Sequence, residues 1–97
     1  MFESNKNRYL TRGVHETIPV DIQLFIWTAI DQMPEPKDYL QVFHLEIVNG
    51  MQGIKHSSEE PDFHMTYVLA VVEKPVTAKI YVIDDGDHCT MLLAEEY

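Results

Sequence analysis

The sequence predicts an α+β domain in which one main helix packs on a mainly antiparallel β-sheet of about five to six strands. Three observations lead there: one helical apolar stripe between residues 17 and 33, an Asn-Gly hairpin signal at Asn49-Gly50, and several short apolar runs separated by turn residues. With 97 residues, of which 45% are hydrophobic and 24% charged, the chain suits a single domain spanning 1–97 with one core.

The elements follow in order. "RYLTRGV" (8–14) alternates bulky and polar residues and reads as a first strand ending at Gly13-Val14. "TIPVDIQLFIWTAIDQM" (17–33) reads as the helix, with Thr17 or Ile18 at its cap, Pro19 in its first turn and Asp21 near the positive end of its dipole. Ile22, Phe25, Ile26, Ala29, Ile30 and Met33 recur at helical spacing and define the face turned to the sheet. Leu24 and Trp27 lie beside that stripe. Either the helix is sunk deeply into the core, or Trp27 anchors a partner or a second copy, which leaves a homo-oligomer open.

"YLQVFHLEIVNGMQGIKH" (39–56) makes two strands around Asn49-Gly50, because both positions of that tight turn need positive φ. A two-residue loop sets Val48 against Met51, Leu45 against Ile54 and Phe43 against His56. "FHMTYVLAVV" (63–72) returns through the acidic loop "SSEEPD". Pairing symmetric about Glu60 sets His56 opposite His64. "AKIYVI" (78–83) and "HCTMLLA" (88–94), joined at Asp85-Gly86, complete the sheet.

Sixteen acidic residues against seven basic ones leave a net charge of -9. That balance disfavours direct nucleic-acid binding and anionic membranes and favours a basic protein surface as partner. The acids cluster at Glu59, Glu60 and Asp62, at Asp84, Asp85 and Asp87, and at Glu95 and Glu96. They form either an ordinary solvated surface or a face that competes with phosphate for a cationic groove. No apolar run reaches membrane-spanning length, the N-terminus lacks signal-peptide regions, and a single cysteine cannot make an internal disulfide. A cytoplasmic protein is expected.

Catalysis finds little support. His88 and Cys89 are neighbours on a strand and point to opposite faces, so they cannot form a nucleophile-base dyad. No oxyanion loop or Gly-rich cradle accompanies His15, His44, His56 or His64, and no enzyme activity is expected. Imidazole and thiolate are preferred zinc ligands, however. His56, His64 and Cys89 converge as a zinc site if strand pairing brings them together, with His88, His44 or Asp87 as fourth ligand and a bulge at His88. The alternative makes Cys89 a small buried hydrophobe, His88 part of the turn, and His56 and His64 surface residues, although Phe43 facing His56 points to a partly buried imidazole in need of a partner.

"RYLTRGV", "IPVDIQLFIW", "DYLQVF" and "VIDDGDHCTMLLAEEY" together resemble a small Gram-positive bacterial and phage family of unknown function, first described from staphylococci. The resemblance implies an accessory interaction domain and supplies no catalytic or metal-binding residues. In class rather than motif, the chain also resembles the short acidic phage anti-CRISPR proteins that inhibit Cas9. That likeness implies an inhibitor that covers a basic surface of the effector and blocks loading of target DNA. Glu59, Glu60 and Asp62, then Asp84, Asp85 and Asp87, with Trp27 as apolar anchor, are the contact residues expected on that reading.

Overall fold

The computed structural model describes all of residues 1–97. Its six-stranded sheet has the order β1-β6-β5-β2-β3-β4, formed by β1 (Asn7–Leu10), β2 (Leu40–Val48), β3 (Met51–Glu59), β4 (Asp62–Leu69), β5 (Ala78–Asp84) and β6 (His88–Leu93). Every neighbouring pair is antiparallel except β1 with β6, so the α+β expectation holds with one parallel edge. Two helices, α1 (Arg12–Thr17) and α2 (Val20–Asp31), precede β2, and a 3-10 turn (Ala94–Glu96) ends the chain.

The stretch expected as one strand divides at Thr11. Its hydroxyl accepts the Val14 N–H at 3.3 Å and caps α1, so Gly13 and Val14 are helical rather than extended. Gly13 also allows a close approach by the C-terminus. Glu96 accepts the Thr11 hydroxyl at 2.6 Å and the Leu93 N–H at 2.8 Å, and a Cβ on Gly13 would lie 2.6 Å from the same carboxylate. The main helix starts later than expected, with Pro19 as its N-cap, because a ring-fixed φ of -57° and a ψ of 149° hold Pro19 just outside helical geometry.

Ile22, Ile26, Ala29 and Ile30 of α2 are buried against Phe43, Leu45, Ile54, Ile80, Val82, Cys89 and Met91 of the sheet, with Phe2, Val14 and Ile18 closing the core. Phe25 is half-buried and packs edge-on against Tyr67, their ring centres 4.9 Å apart. Each fully buried aliphatic or aromatic side chain contributes roughly 1.5 to 3 kcal/mol, so this one layer between helix and sheet dominates stability. The opposite face of the sheet carries no helix.

The β2–β3 register is the expected one, with Val48 opposite Met51, Leu45 opposite Ile54 and Phe43 opposite His56. Asn49 at φ 51° and Gly50 at φ 77° form the two-residue turn that sets it. The β3–β4 pairing differs by one residue from symmetry about Glu60. Glu59 faces Asp62, which sets His56 opposite Met65 and His64 opposite Ser57. Because side chains alternate along a strand, that single step sends His64 to the open face while His56 enters the core.

Candidate functional site

The strand directions gather distant acids at one end of the sheet. β3 ends there, β4 and β6 begin there, β5 ends there, and the chain enters β2 at the same level. Glu59, Glu60 and Asp62 therefore share an edge of the molecule with Asp85 and Asp87. Three strand spacings separate the two turns, about 14 Å. Between them opens a cleft of about 470 Å³, lined by Met1, Val42 and the segments 37–40 and 57–60.

Asp38 holds this end rigid. Its carboxylate accepts the N–H groups of Glu60 at 2.8 Å, Glu59 at 3.2 Å and Leu40 at 3.2 Å. Burial opposes its ionisation, but these three donors outweigh that cost and lower its pKa. The backbone of the acidic turn is thus pinned while the Glu59 and Glu60 side chains face solvent. Lys37, whose side chain is only 6% exposed, lines the cleft with its ammonium 3.6 Å from Glu35. Neither Lys37 nor Asp38 was marked by charge clustering; an aspartate just before a strand, able to bond backbone N–H groups, is the signal that would have found Asp38.

The five acids named for the two turns remain at the surface, but Asp84 does not. It is 4% exposed and accepts the Phe2 N–H at 2.5 Å, the Gly86 N–H at 2.7 Å and the Lys6 ammonium at 2.9 Å. Burial raises its pKa, the donors lower it further, and the carboxyl ends at about 2. Asp84 is an internal clamp on the N-terminus. It ends β5 with its side chain on the core face, where strand alternation takes it out of the acidic group.

Asp85 and Asp87 flank His88, whose ring nitrogens lie 3.3 and 2.8 Å from their carboxylates, and Tyr9 packs edge-on against that imidazole. His64 lies 2.8 Å from Asp62 on the open face. Cys89 is fully buried, and burial first, then the charge of Asp84, pushes its thiol pKa up. His56, His64, His88 and Cys89 are consequently not brought together, and no group of three or more His, Cys, Asp or Glu side chains is placed to hold a metal ion. Trp27 is half-buried at the edge of the core, with the Arg8 guanidinium 4.8 Å above its ring and Arg8 held in turn by Asp31.

His56 is not the surface residue of the alternative reading. It is 1% exposed, stacked on Phe43 with ring centres 4.1 Å apart, and close to Phe63. Gln41 donates to the Asp38 carbonyl at 2.8 Å, so its amide oxygen faces His56 and accepts from Nε2 at 2.7 Å. Nδ1 is left as a bare acceptor without a donor. Burial lowers the imidazole pKa to about 4. The partner that this buried histidine demands is Gln41, two residues before Phe43 on the same face, and period-two spacing would have located it.

A family described as "Staphylococcal protein of unknown function (DUF960)" matches residues 7–96. No curated protein matches. A crystal structure of a protein of unknown function from Enterococcus faecalis is similar with a TM-score of 0.88 and 29% identity, covering 99% of this chain and 94% of that one.

Proposed function

The chain belongs to the staphylococcal DUF960 family, and we propose on that premise that it is a non-catalytic interaction domain whose acidic sheet end engages a positively charged protein surface. The observation that carries this reading is the convergence of Glu59, Glu60, Asp62, Asp85 and Asp87 at one end of the sheet, beside a cleft that Glu59 and Glu60 line, in a chain of net charge -9. Five carboxylates along one edge set up a field that steers a basic partner and raises its association rate, with strong dependence on salt. The Asp38 bonds give the turn a fixed shape, so little ordering entropy is lost on docking. Cys89 is buried, and burial together with the neighbouring Asp84 charge raises its thiol pKa, which makes it a poor nucleophile.

Guide-loaded Cas9, the partner suggested by likeness of class, is the specific case of this reading, and competition with DNA for its basic channel is the mechanism that case requires. The test compares wild type with a Glu59→Lys/Glu60→Lys/Asp62→Lys variant. Each is titrated into guide-loaded Cas9 before target DNA, at low and moderate salt, and each is immobilised against a Gram-positive lysate with quantitative mass spectrometry. Loss of DNA binding at near-equimolar wild type, relieved by the charge reversals, supports the Cas9 case. A basic protein retained by wild type and lost by the variant supports the general reading, and identical retention by both overturns it.

A further inference from the structure

β4 is the last strand of the sheet, and no strand pairs with its outer side. The Val48–Met51 pair closes a two-residue turn and therefore exchanges both backbone bonds, which sets the alternation for the strands beyond it. Gln52, Ile54, His56 and Ser58 direct their N–H and C=O groups to Leu69, Tyr67, Met65 and Phe63. The corresponding groups of His64, Thr66 and Val68 point outward, a free ladder ready to accept another strand.

Natural edges are commonly blunted by proline, lysine or a bulge, and β4 ("DFHMTYVL") has neither residue and pairs continuously with β3. Met65 is 45% exposed and Val68 53% exposed on this edge. Beside it runs a groove of about 290 Å³ between α2 and β4, lined by Ala29, Met33, Pro34, Phe63, Met65 and Tyr67. Drug-sized ligands occupy pockets from about 300 Å³ upward, so this one suits a single large apolar side chain. A residue laid opposite Met65 or Tyr67 on an added strand points to that same face.

We propose that the β4 edge and the α2–β4 groove form a docking site for an extended peptide segment of a partner, carrying one bulky apolar side chain flanked by basic residues. Backbone bonds to His64, Thr66 and Val68 supply the affinity, and the groove selects the side chain. Charge selects the rest. Glu59, Glu60 and Asp62 stand at the first end of β4 and attract a cationic segment, whereas a second copy of a chain of charge -9 is repelled. The proposal rests on the interaction-domain reading and specifies how the partner is held.

The probe is a fluorescent synthetic peptide of about nine residues, lysine and threonine alternating around a central leucine, together with a copy N-methylated at alternate amides. Thr66→Pro removes an outward N–H and leaves the β3–β4 bonds in place, and Met65→Lys puts a charge at the groove. The expected result is saturable binding to wild type, about tenfold weaker for each variant and absent for the methylated peptide, with amide NMR shifts centred on residues 64–68. Binding to both variants as tight as to wild type, no binding to wild type, or an edge-to-edge dimer abolished by Thr66→Pro would each overturn the proposal. Should Thr66→Pro not fold, Met65→Lys and the methylated peptide still decide. Partner retention lost with the charge-reversed turn and kept with Thr66→Pro would sink strand docking alone; the interaction reading falls only if the turn variant retains the same proteins.

Discussion

Replacing the buried pair, His56→Phe with Gln41→Met, should flatten the acid side of the stability profile. In the folded protein the imidazole is neutral, with Nε2–H bonded to Gln41 and Nδ1 without a donor, and burial lowers its pKa to about 4 from an ordinary 6.5. The unfolded chain therefore binds this proton first as pH falls. Stability is complete above the ordinary value and is lost between 6.5 and about 4. A shift of this size corresponds to about 3 kcal/mol in total, of which about 2 kcal/mol disappears between about pH 7 and about pH 5. In a domain of this size that is a fall in Tm of about 10 °C. The variant exchanges a polar pair for apolar groups of similar shape, so His56 and Gln41 leave together; the Asp38 carbonyl loses its donor at every pH and this does not alter the slope. Urea unfolding of both proteins at the two pH values, followed by circular dichroism, reads the difference directly. Parallel losses in wild type and variant would refute the reasoning, since the proton uptake would then belong to other groups.

Two further predictions concern Asp84 and Cys89, on the neighbouring strands β5 and β6. Asp84→Asn should cost about 2 to 4 kcal/mol in urea unfolding near neutral pH, because the Lys6 ammonium and the Phe2 N–H lose their charged acceptor. Asp84 has a lowered pKa, so its contribution is present above 3.8 and lost as pH falls toward about 2; the penalty should shrink over that window, and a penalty independent of pH would count against the clamp. Cys89 should react with Ellman's reagent at least about 100-fold more slowly in the native protein than in urea, given its burial and raised thiol pKa. Fast native labelling would show that β6 opens readily.

Much of the architecture could be read from local pattern. The apolar spacing from Ile22 to Met33 and the Asn49-Gly50 turn act through neighbouring residues, and the helix face and the β2–β3 register came out as expected. Thr11 shows where local reading stops. Its hydroxyl could extend a strand or cap a helix, and the contact of Glu96 with Thr11 and Gly13, 83 to 85 residues away in sequence, belongs to the helical choice. The candidate site followed the same division. Composition by itself determined that the chain is acidic, and spacing that its acids come in clusters.

Only the tertiary structure decided which clusters lie together. The β3–β4 pairing, one residue away from symmetry, separates His56 from His64, and strand alternation buries Asp84 while leaving Asp85 and Asp87 outside. Strand order brings two turns about 14 Å apart that lie some 25 residues apart in sequence. Helix stripes and tight turns are settled within a few residues by torsional preference and side-chain spacing, so the sequence carries them. Register across a longer turn and the order of strands depend on how one core is filled, and a packing problem shared by the whole chain has no local signature.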